Sequence, residues 1–115
     1  MYTCGIATQS VPQITADEVY KTIQNNSGVV LLDVRTPGEF AKGAIEGSVN
    51  IPVDELFSRV TTEFPDKNKT IYLYCLSGSR SDYAAALLMQ NGYTAVFSMT
   101  SGLLMWRSKK YPLSV

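Results

Sequence analysis

Residues 70–90 read TIYLYCLSGSRSDYAAALLMQ and combine two kinds of pattern. The segment 70–74 is rich in β-branched and aromatic residues and contains no Gly or Pro, which predicts a strand. The alanine- and leucine-rich residues 81–90 predict a helix. Cys75 therefore follows directly after a strand, at the start of a short loop that leads into a helix.

The loop after Cys75 has the properties of an anion-binding segment. The N–H groups at the start of a helix lack intrahelical partners, and the helix dipole adds about half a positive charge there. These groups, together with the charge of Arg80, favour the thiolate form of the cysteine. Gly78 permits a tight turn, and Ser77 and Ser79 add small hydroxyl donors. We therefore predict that Cys75 is a nucleophile; the alternative is a buried cysteine without a chemical role.

Strand and helix patterns alternate along the rest of the chain. A capping box at 15–18 begins a helix, and the continuous apolar run at 29–33 predicts a central strand. Further segments are a short strand at 48–51, a helix at 54–60 with Leu56, Phe57 and Val60 facing inward, a strand at 94–99 and a helix beyond Gly102. Because alternating strands and helices form right-handed crossover units, we predict an α/β fold with a central parallel sheet of about five strands and helices on both faces.

Polar residues follow two of the predicted strands. Ligands of such sheets bind beyond the carboxyl ends of the strands, and both Asp33 and Cys75 lie at such ends. Asp33 and Arg35 are two residues apart, so they share a face if the strand conformation continues. Two interpretations of this pair stay open: it frames an anion pocket, or it is a structural ion pair that ties loops together.

The composition favours one compact domain and excludes several classes of function. The chain has 115 residues, of which 45% are hydrophobic and 17% are charged. Ten basic and ten acidic residues cancel and no basic stripe is present, so we expect no nucleic-acid partner. The polar start of the chain and the lack of a long apolar run predict neither a signal peptide nor a membrane partner.

The chain contains two cysteines and no histidine. Two cysteines are too few for a disulfide scaffold and lack metal-ligand spacing, so we expect a reducing, cytoplasmic setting and no metal. Cys4 is either a resolving thiol for Cys75 or, as we favour, incidental. The absence of histidine removes Cys–His nucleophile pairs, Ser–His–Asp triads and histidine metal sites.

Three motifs resemble those of a known family. The loop from Cys75 to Ser81 has the pattern C-x-x-G-x-R-S. The segment 32–40 reads LDVRTPGEF, and the remaining matches are Gly43, Ile45, Gly47, the tripeptide NIP at 50–52, and Gly102 followed by Trp106. On these residues the chain resembles the single-domain rhodaneses, a family of sulfurtransferases, which implies one rhodanese domain over 1–115. Two positions depart from the family pattern: Ala44 replaces a usual histidine, and Ser101 replaces a common glycine.

The resemblance implies a sulfur-transfer reaction. Cys75 would attack the outer sulfur of a donor such as thiosulfate, hold that sulfur as a persulfide, and pass it to a thiol, to cyanide or to a sulfur-accepting protein. Sulfite is a good leaving group, so a thiolate held by loop amides needs no histidine base. The resemblance also implies that members which prefer thiosulfate often place more positive charge around the cysteine. Because Arg80 is the single cation of this loop, another persulfide is also a candidate for the physiological donor. The expected substrate-binding residues are Leu76, Ser77, Gly78, Ser79, Arg80 and Arg35, supported structurally by Asp33 and Ser81; we expect no cofactor.

Two other functions compete with sulfur transfer. Cysteine-loop phosphatases, and the arsenate-reductase chemistry related to them, resemble C-x-x-x-x-x-R, whereas only four residues separate Cys75 from Arg80. A phosphatase also needs an acid for the leaving alkoxide, and Asp82 or Glu39 are weak candidates. The second alternative is a non-catalytic or redox-sensing rhodanese module, and such modules often lack the cysteine that this chain keeps.

Overall fold

The protein is represented by a computed structural model, which describes residues 10–25 and 28–114. Strands and helices alternate throughout these residues, as the sequence predicts. In chain order they are β1 (Gln13–Ile14), α1 (Ala16–Gln24), β2 (Val30–Asp33), α2 (Pro37–Ala41), β3 (Val49–Asn50), a 3₁₀ turn (Val53–Glu55), α3 (Leu56–Glu63), β4 (Ile71–Tyr74), α4 (Ser79–Gln90), β5 (Val96–Met99) and α5 (Gly102–Ser108). Cys4 lies outside the described residues.

The strands form one parallel sheet with the order β1-β5-β4-β2-β3, so the predicted five-stranded parallel sheet is confirmed. β4 occupies the centre, and its last residue, Tyr74, pairs with Asp33 at the end of β2. The N–H of Val34 continues the ladder by donating to the carbonyl of Tyr74. The segments that follow β2 and β4 therefore leave the sheet side by side, as parallel strands require.

Helices cover both faces of the sheet, also as predicted. Leu73 points into a core formed with α3 and α4, whereas its neighbour Tyr74 points into a core formed with α1 and α5. This alternation follows from the two-residue repeat of a strand. Both cores are apolar, so the central strands are buried on their two faces, which explains why their sequences are continuous apolar runs.

Two local expectations need correction. Phe57 was expected to face inward, but 53% of it is exposed. Helix α3 buries Leu56 and Val60, four residues apart, and Phe57 is turned about 100° away from Leu56 because each helical residue rotates by that amount. Helix α4 begins at Ser79 rather than at Ser81, so its first turn includes part of the expected loop.

Two helices in the described ranges begin with a capping box, and the sequence analysis predicts one of them. The Thr15–Glu18 box is present at the start of α1, and a second box, formed by Thr36 and Glu39, begins α2. None of the helices in the described ranges is long and apolar enough to cross a membrane. Those ranges also contain no group of three or more His, Cys, Asp or Glu side chains arranged to hold a metal ion.

Candidate active site

Cys75 lies at the end of the central strand and is only 1% exposed. Its sulfur accepts the backbone N–H of Gly78 at 3.1 Å and that of Ser81 at 3.4 Å. The hydroxyl of Ser81 lies 3.6 Å from the same sulfur. Three polar groups at the start of α4 thus converge on one atom. N–H donors and a helix N-terminus stabilise negative charge, so this position is suited to an anionic group.

Gly78 allows the sharp turn that directs these hydrogen-bond donors toward the Cys75 sulfur. Its φ is 117°, a conformation that residues with a side chain rarely adopt. Ser81 was expected only as a supporting residue, yet its amide and hydroxyl both contact the sulfur.

Other amides of the loop remain available to a ligand. Within the described ranges, the backbone N–H groups of Leu76, Ser77, Ser79 and Arg80 have no hydrogen-bond partner. Ser77 and Ser79 are exposed, so an anion can approach this part of the loop from solvent. A row of unpaired amides before a helix is a common site for anions.

A buried serine that the sequence interpretation missed lies behind the loop. Ser98 in β5 is fully buried, and its Oγ is 2.7 Å from the Oγ of Ser81. Ser81 also contacts the carbonyl of Gly78 at 3.1 Å. Because each hydroxyl has one proton and the Ser81 hydroxyl donates to that carbonyl, Ser98 is the donor in its contact with Ser81. The only sequence signal for Ser98 is a serine at an inward position of an otherwise apolar strand.

Arg80 is paired with a carboxylate from a distant part of the chain. Its two terminal nitrogens contact the two carboxylate oxygens of Glu39 at 2.8 and 3.1 Å. Hydrogen bonds from Arg80, with further donation from Thr36, lower the pKa of Glu39 to about 2. Glu39 is therefore ionised at neutral pH and holds no proton for a leaving group, which removes it as the acid of a phosphatase reaction.

Asp33 and Arg35 form a buried ion pair, with 0% and 3% of their surfaces exposed. The guanidinium contacts both carboxylate oxygens at 2.7 to 3.1 Å and also donates to the carbonyl of Gly43 at 2.8 Å. Asn50 donates to the backbone carbonyls of both residues. The contacts of the guanidinium are those of a structural ion pair. Because Arg35 is buried and engaged by Asp33 and Gly43, its expected substrate-binding role stays a prediction that these contacts do not support.

Backbone hydrogen bonds connect the start of α5 to the beginning of the loop. The N–H groups of Leu103 and Leu104 donate to the carbonyls of Cys75 and Leu76 at 2.9 and 3.0 Å. A Cβ at Gly102 would lie 2.5 Å from the Cys75 carbonyl oxygen, so only glycine permits this approach. Ser101, which stands where the family pattern has a common glycine, has a φ of 60°.

Comparison with known proteins assigns the family. A family model described as a rhodanese-like domain matches residues 15–109. This chain belongs to the rhodanese family. It is 33% identical to a sulfurtransferase of Allochromatium vinosum over 90% of this chain and 94% of that protein. It is also 40% identical to the thiosulfate sulfurtransferase PspE of Escherichia coli over 56% of this chain and 62% of that protein.

A solved structure with the same fold has a different description. A protein of unknown function from Rhodopseudomonas palustris, described as a possible tyrosine phosphatase, superposes on this rhodanese with a TM-score of 0.84. The two are 25% identical, and the match covers 99% of this chain and 97% of the other. The rhodanese fold therefore does not by itself distinguish sulfur transfer from phosphate chemistry.

Gly102→Ala should destabilise this rhodanese domain by about 2–5 kcal/mol, because the added Cβ meets backbone atoms and the φ of 51° disfavours a side chain. Urea unfolding measures this loss. Gly47→Ala is the matched control, since Gly47 also has a positive φ, 88°, but has no atom within 4 Å of the added Cβ. We expect the control to lose only about 1 kcal/mol. Equal losses in the two variants would contradict the proposed close approach.

The Glu39–Arg80 pair should make rhodanese stability depend on acid pH. The pKa of Glu39 falls from 4.5 to about 2 on folding, so its stabilising effect is complete above pH 4.5 and disappears as the pH falls towards 2. The effect should be about 1 kcal/mol or less, because about a third of each side chain is exposed. The measurement is the difference in urea midpoint between the parent and Glu39→Gln at pH 6 and at pH 3. This difference should shrink by about half or more at pH 3; a constant difference would contradict the assignment.

Proposed function

We propose that this chain is a sulfurtransferase that moves sulfane sulfur from thiosulfate or a persulfide donor to a thiophilic acceptor through a persulfide on Cys75. The observation that carries the proposal is the convergence of the Gly78 and Ser81 N–H groups on the Cys75 sulfur. Family membership and the sulfurtransferase names of its relatives support the same chemistry.

The reaction consists of two displacements at sulfur. The Cys75 thiolate attacks the outer sulfur of the donor, a new S–S bond forms, and the old bond breaks with its electron pair on sulfite or on a thiolate. An acceptor nucleophile then attacks the outer sulfur of the persulfide and returns the Cys75 thiolate. Negative charge is conserved in each step, and both leaving groups are stable anions, so the reaction needs no histidine and no cofactor.

The loop residues have distinct proposed roles. The Gly78 and Ser81 amides stabilise the sulfur of Cys75 between the two steps. The free amides of Leu76, Ser77, Ser79 and Arg80 bind the donor and the transferred sulfur. Structural support comes from Asp33, which pairs with Arg35 at the end of β2, the strand next to β4.

The proposed partners follow from this chemistry. They are a small-molecule sulfur donor, a thiol or cyanide acceptor, and a protein that accepts sulfur. We also propose that residues 1–115 form a single domain and that the protein works in a reducing, cytoplasmic compartment. These proposals rest on the composition and cysteine content.

Phosphatase chemistry is the second candidate, because the Rhodopseudomonas palustris neighbour is described in those terms. Two observations disfavour it here. Only four residues separate Cys75 from Arg80, and Glu39 is held as a carboxylate by Arg80. The remaining acid candidate, Asp82, accepts a hydrogen bond from the Gln13 side chain. Hydrolysis of p-nitrophenyl phosphate that depends on Cys75 would favour this candidate over sulfur transfer.

The third candidate is a redox-sensing or binding module without turnover. Intact-protein mass spectrometry separates it from the proposed enzyme. The protein is treated with thiosulfate or cysteine persulfide and desalted, and a second aliquot then receives cyanide. We expect a gain of one sulfur atom that cyanide removes as thiocyanate. No gain with either donor would reject the sulfurtransferase.

A further inference from the structure

We infer that Glu39 is a specificity-determining residue: by neutralising Arg80 it makes the site favour a persulfide donor of low charge over the thiosulfate dianion. This inference rests on the proposed sulfurtransferase function. It concerns the first step of that reaction, the loading of Cys75.

The ion pair is held in place by the fold. Glu39 contacts Arg80 through both carboxylate oxygens, which fixes the plane of each group. The same carboxylate accepts the Thr36 N–H at 3.1 Å, and the Glu39 N–H donates to the Thr36 hydroxyl at 3.2 Å. Glu39 is thus anchored at the start of α2 and cannot leave Arg80 without breaking a helix cap.

The charges of the loop segment and of its two neighbouring ion pairs sum to zero or to a negative value. Arg80 is the only cation in the segment 75–82, and Glu39 cancels it. The neighbouring Asp33–Arg35 pair cancels itself. Asp82, in the first turn of α4, adds a negative charge that the neutral side chain of Gln13 contacts. With Cys75 as a thiolate, the donor therefore meets net negative charge.

This charge balance discriminates between donors. Thiosulfate carries two negative charges on a small ion, whereas a persulfide group brings at most one to the loop. Because Coulomb repulsion scales with the charge of the incoming donor, thiosulfate is disfavoured more strongly. With a persulfide RS–SH, the Cys75 thiolate attacks the outer sulfur, the RS–S bond breaks, and RS⁻ leaves. The reactants of this step carry one negative charge, on the Cys75 thiolate, and the products carry one, on RS⁻.

The test compares loading rates for the two donors. The second-order rate constant for sulfur loading of Cys75 is measured by quenched flow and intact mass, with thiosulfate and with cysteine persulfide, at low ionic strength. In Glu39→Gln the charge of Arg80 is no longer cancelled. We expect the thiosulfate-to-persulfide ratio of rate constants to rise about fivefold, and the rise to shrink when salt screens the charge.

Two variants separate this effect from general changes in charge or packing. Glu63→Gln removes the same charge from an ion pair with Arg59 on helix α3, outside the loop, and should change the ratio by less than about twofold. Glu39→Asp keeps the charge and should retain the parental ratio. An unchanged ratio in Glu39→Gln, with both donors still loading Cys75, would overturn the inference but leave the proposed function intact. Loading by neither donor in the parent protein would overturn both.

The parent protein alone provides a test that needs no variant to fold. If the loop meets thiosulfate with net negative charge, added salt weakens the repulsion and the thiosulfate loading rate should rise with ionic strength. A rate that falls with ionic strength would show an attractive site and would reject the inference.

Discussion

Cys75→Ser should reduce sulfur loading to background with either donor. A serine hydroxyl is not ionised at neutral pH and forms no bond to sulfane sulfur, so the first displacement cannot occur. The serine oxygen can still accept the Gly78 and Ser81 N–H groups that the sulfur accepts now. We therefore expect the free energy of unfolding to stay within about 1 kcal/mol of the parent. Intact mass and urea unfolding measure the two effects.

The second cysteine provides the control for this experiment. Cys4→Ser should load one sulfur atom like the parent, because we regard Cys4 as incidental. The double variant Cys4→Ser/Cys75→Ser should gain none. Sulfur uptake by Cys75→Ser that disappears only in the double variant would assign the reactive thiol to Cys4 and reject the mechanism.

Arg35→Met should cost about 3–5 kcal/mol of stability, because it leaves the Asp33 carboxylate buried without a counter-charge. The methionine also loses the hydrogen bond to the Gly43 carbonyl. The measurement is the free energy of unfolding in urea. A loss of this size is a large fraction of the stability of a small domain, so the variant should also have a lower thermal midpoint.

An exposed ion pair gives the matched comparison. Arg59→Met removes the same type of side chain from its contacts with Glu55, in the 3₁₀ turn, and Glu63, on α3, and should cost about 1 kcal/mol or less. Adding Asp33→Asn to Arg35→Met should recover part of the loss, since no buried charge then remains. Equal losses for Arg35→Met and Arg59→Met would show that burial does not strengthen the first pair.

Much of the fold follows from local sequence patterns. The apolar run at 29–33 predicts a buried central strand, the segment 70–74 predicts a strand, and the capping box at Thr15 predicts the start of α1, all as observed. These signals are readable because strand burial and helix capping depend on residues that are neighbours in sequence. The prediction that Phe57 faces inward was wrong because the face of a short helix that is buried depends on where its first turn begins. The 3₁₀ turn before α3 shifts that starting point.

Only part of the site is formed by residues that are close together in the sequence. The sequence by itself determined that Cys75 follows a strand and precedes a helix, since both elements and the glycine turn lie within one continuous segment. Only the tertiary structure decided that Glu39 neutralises Arg80, 41 residues away, and that Ser98 in β5 contacts Ser81 in α4. It also decided that Arg35 is buried in an ion pair with Asp33. The physical reason is that charge pairing and burial depend on which distant segments the parallel sheet brings together, and no local pattern records those distances.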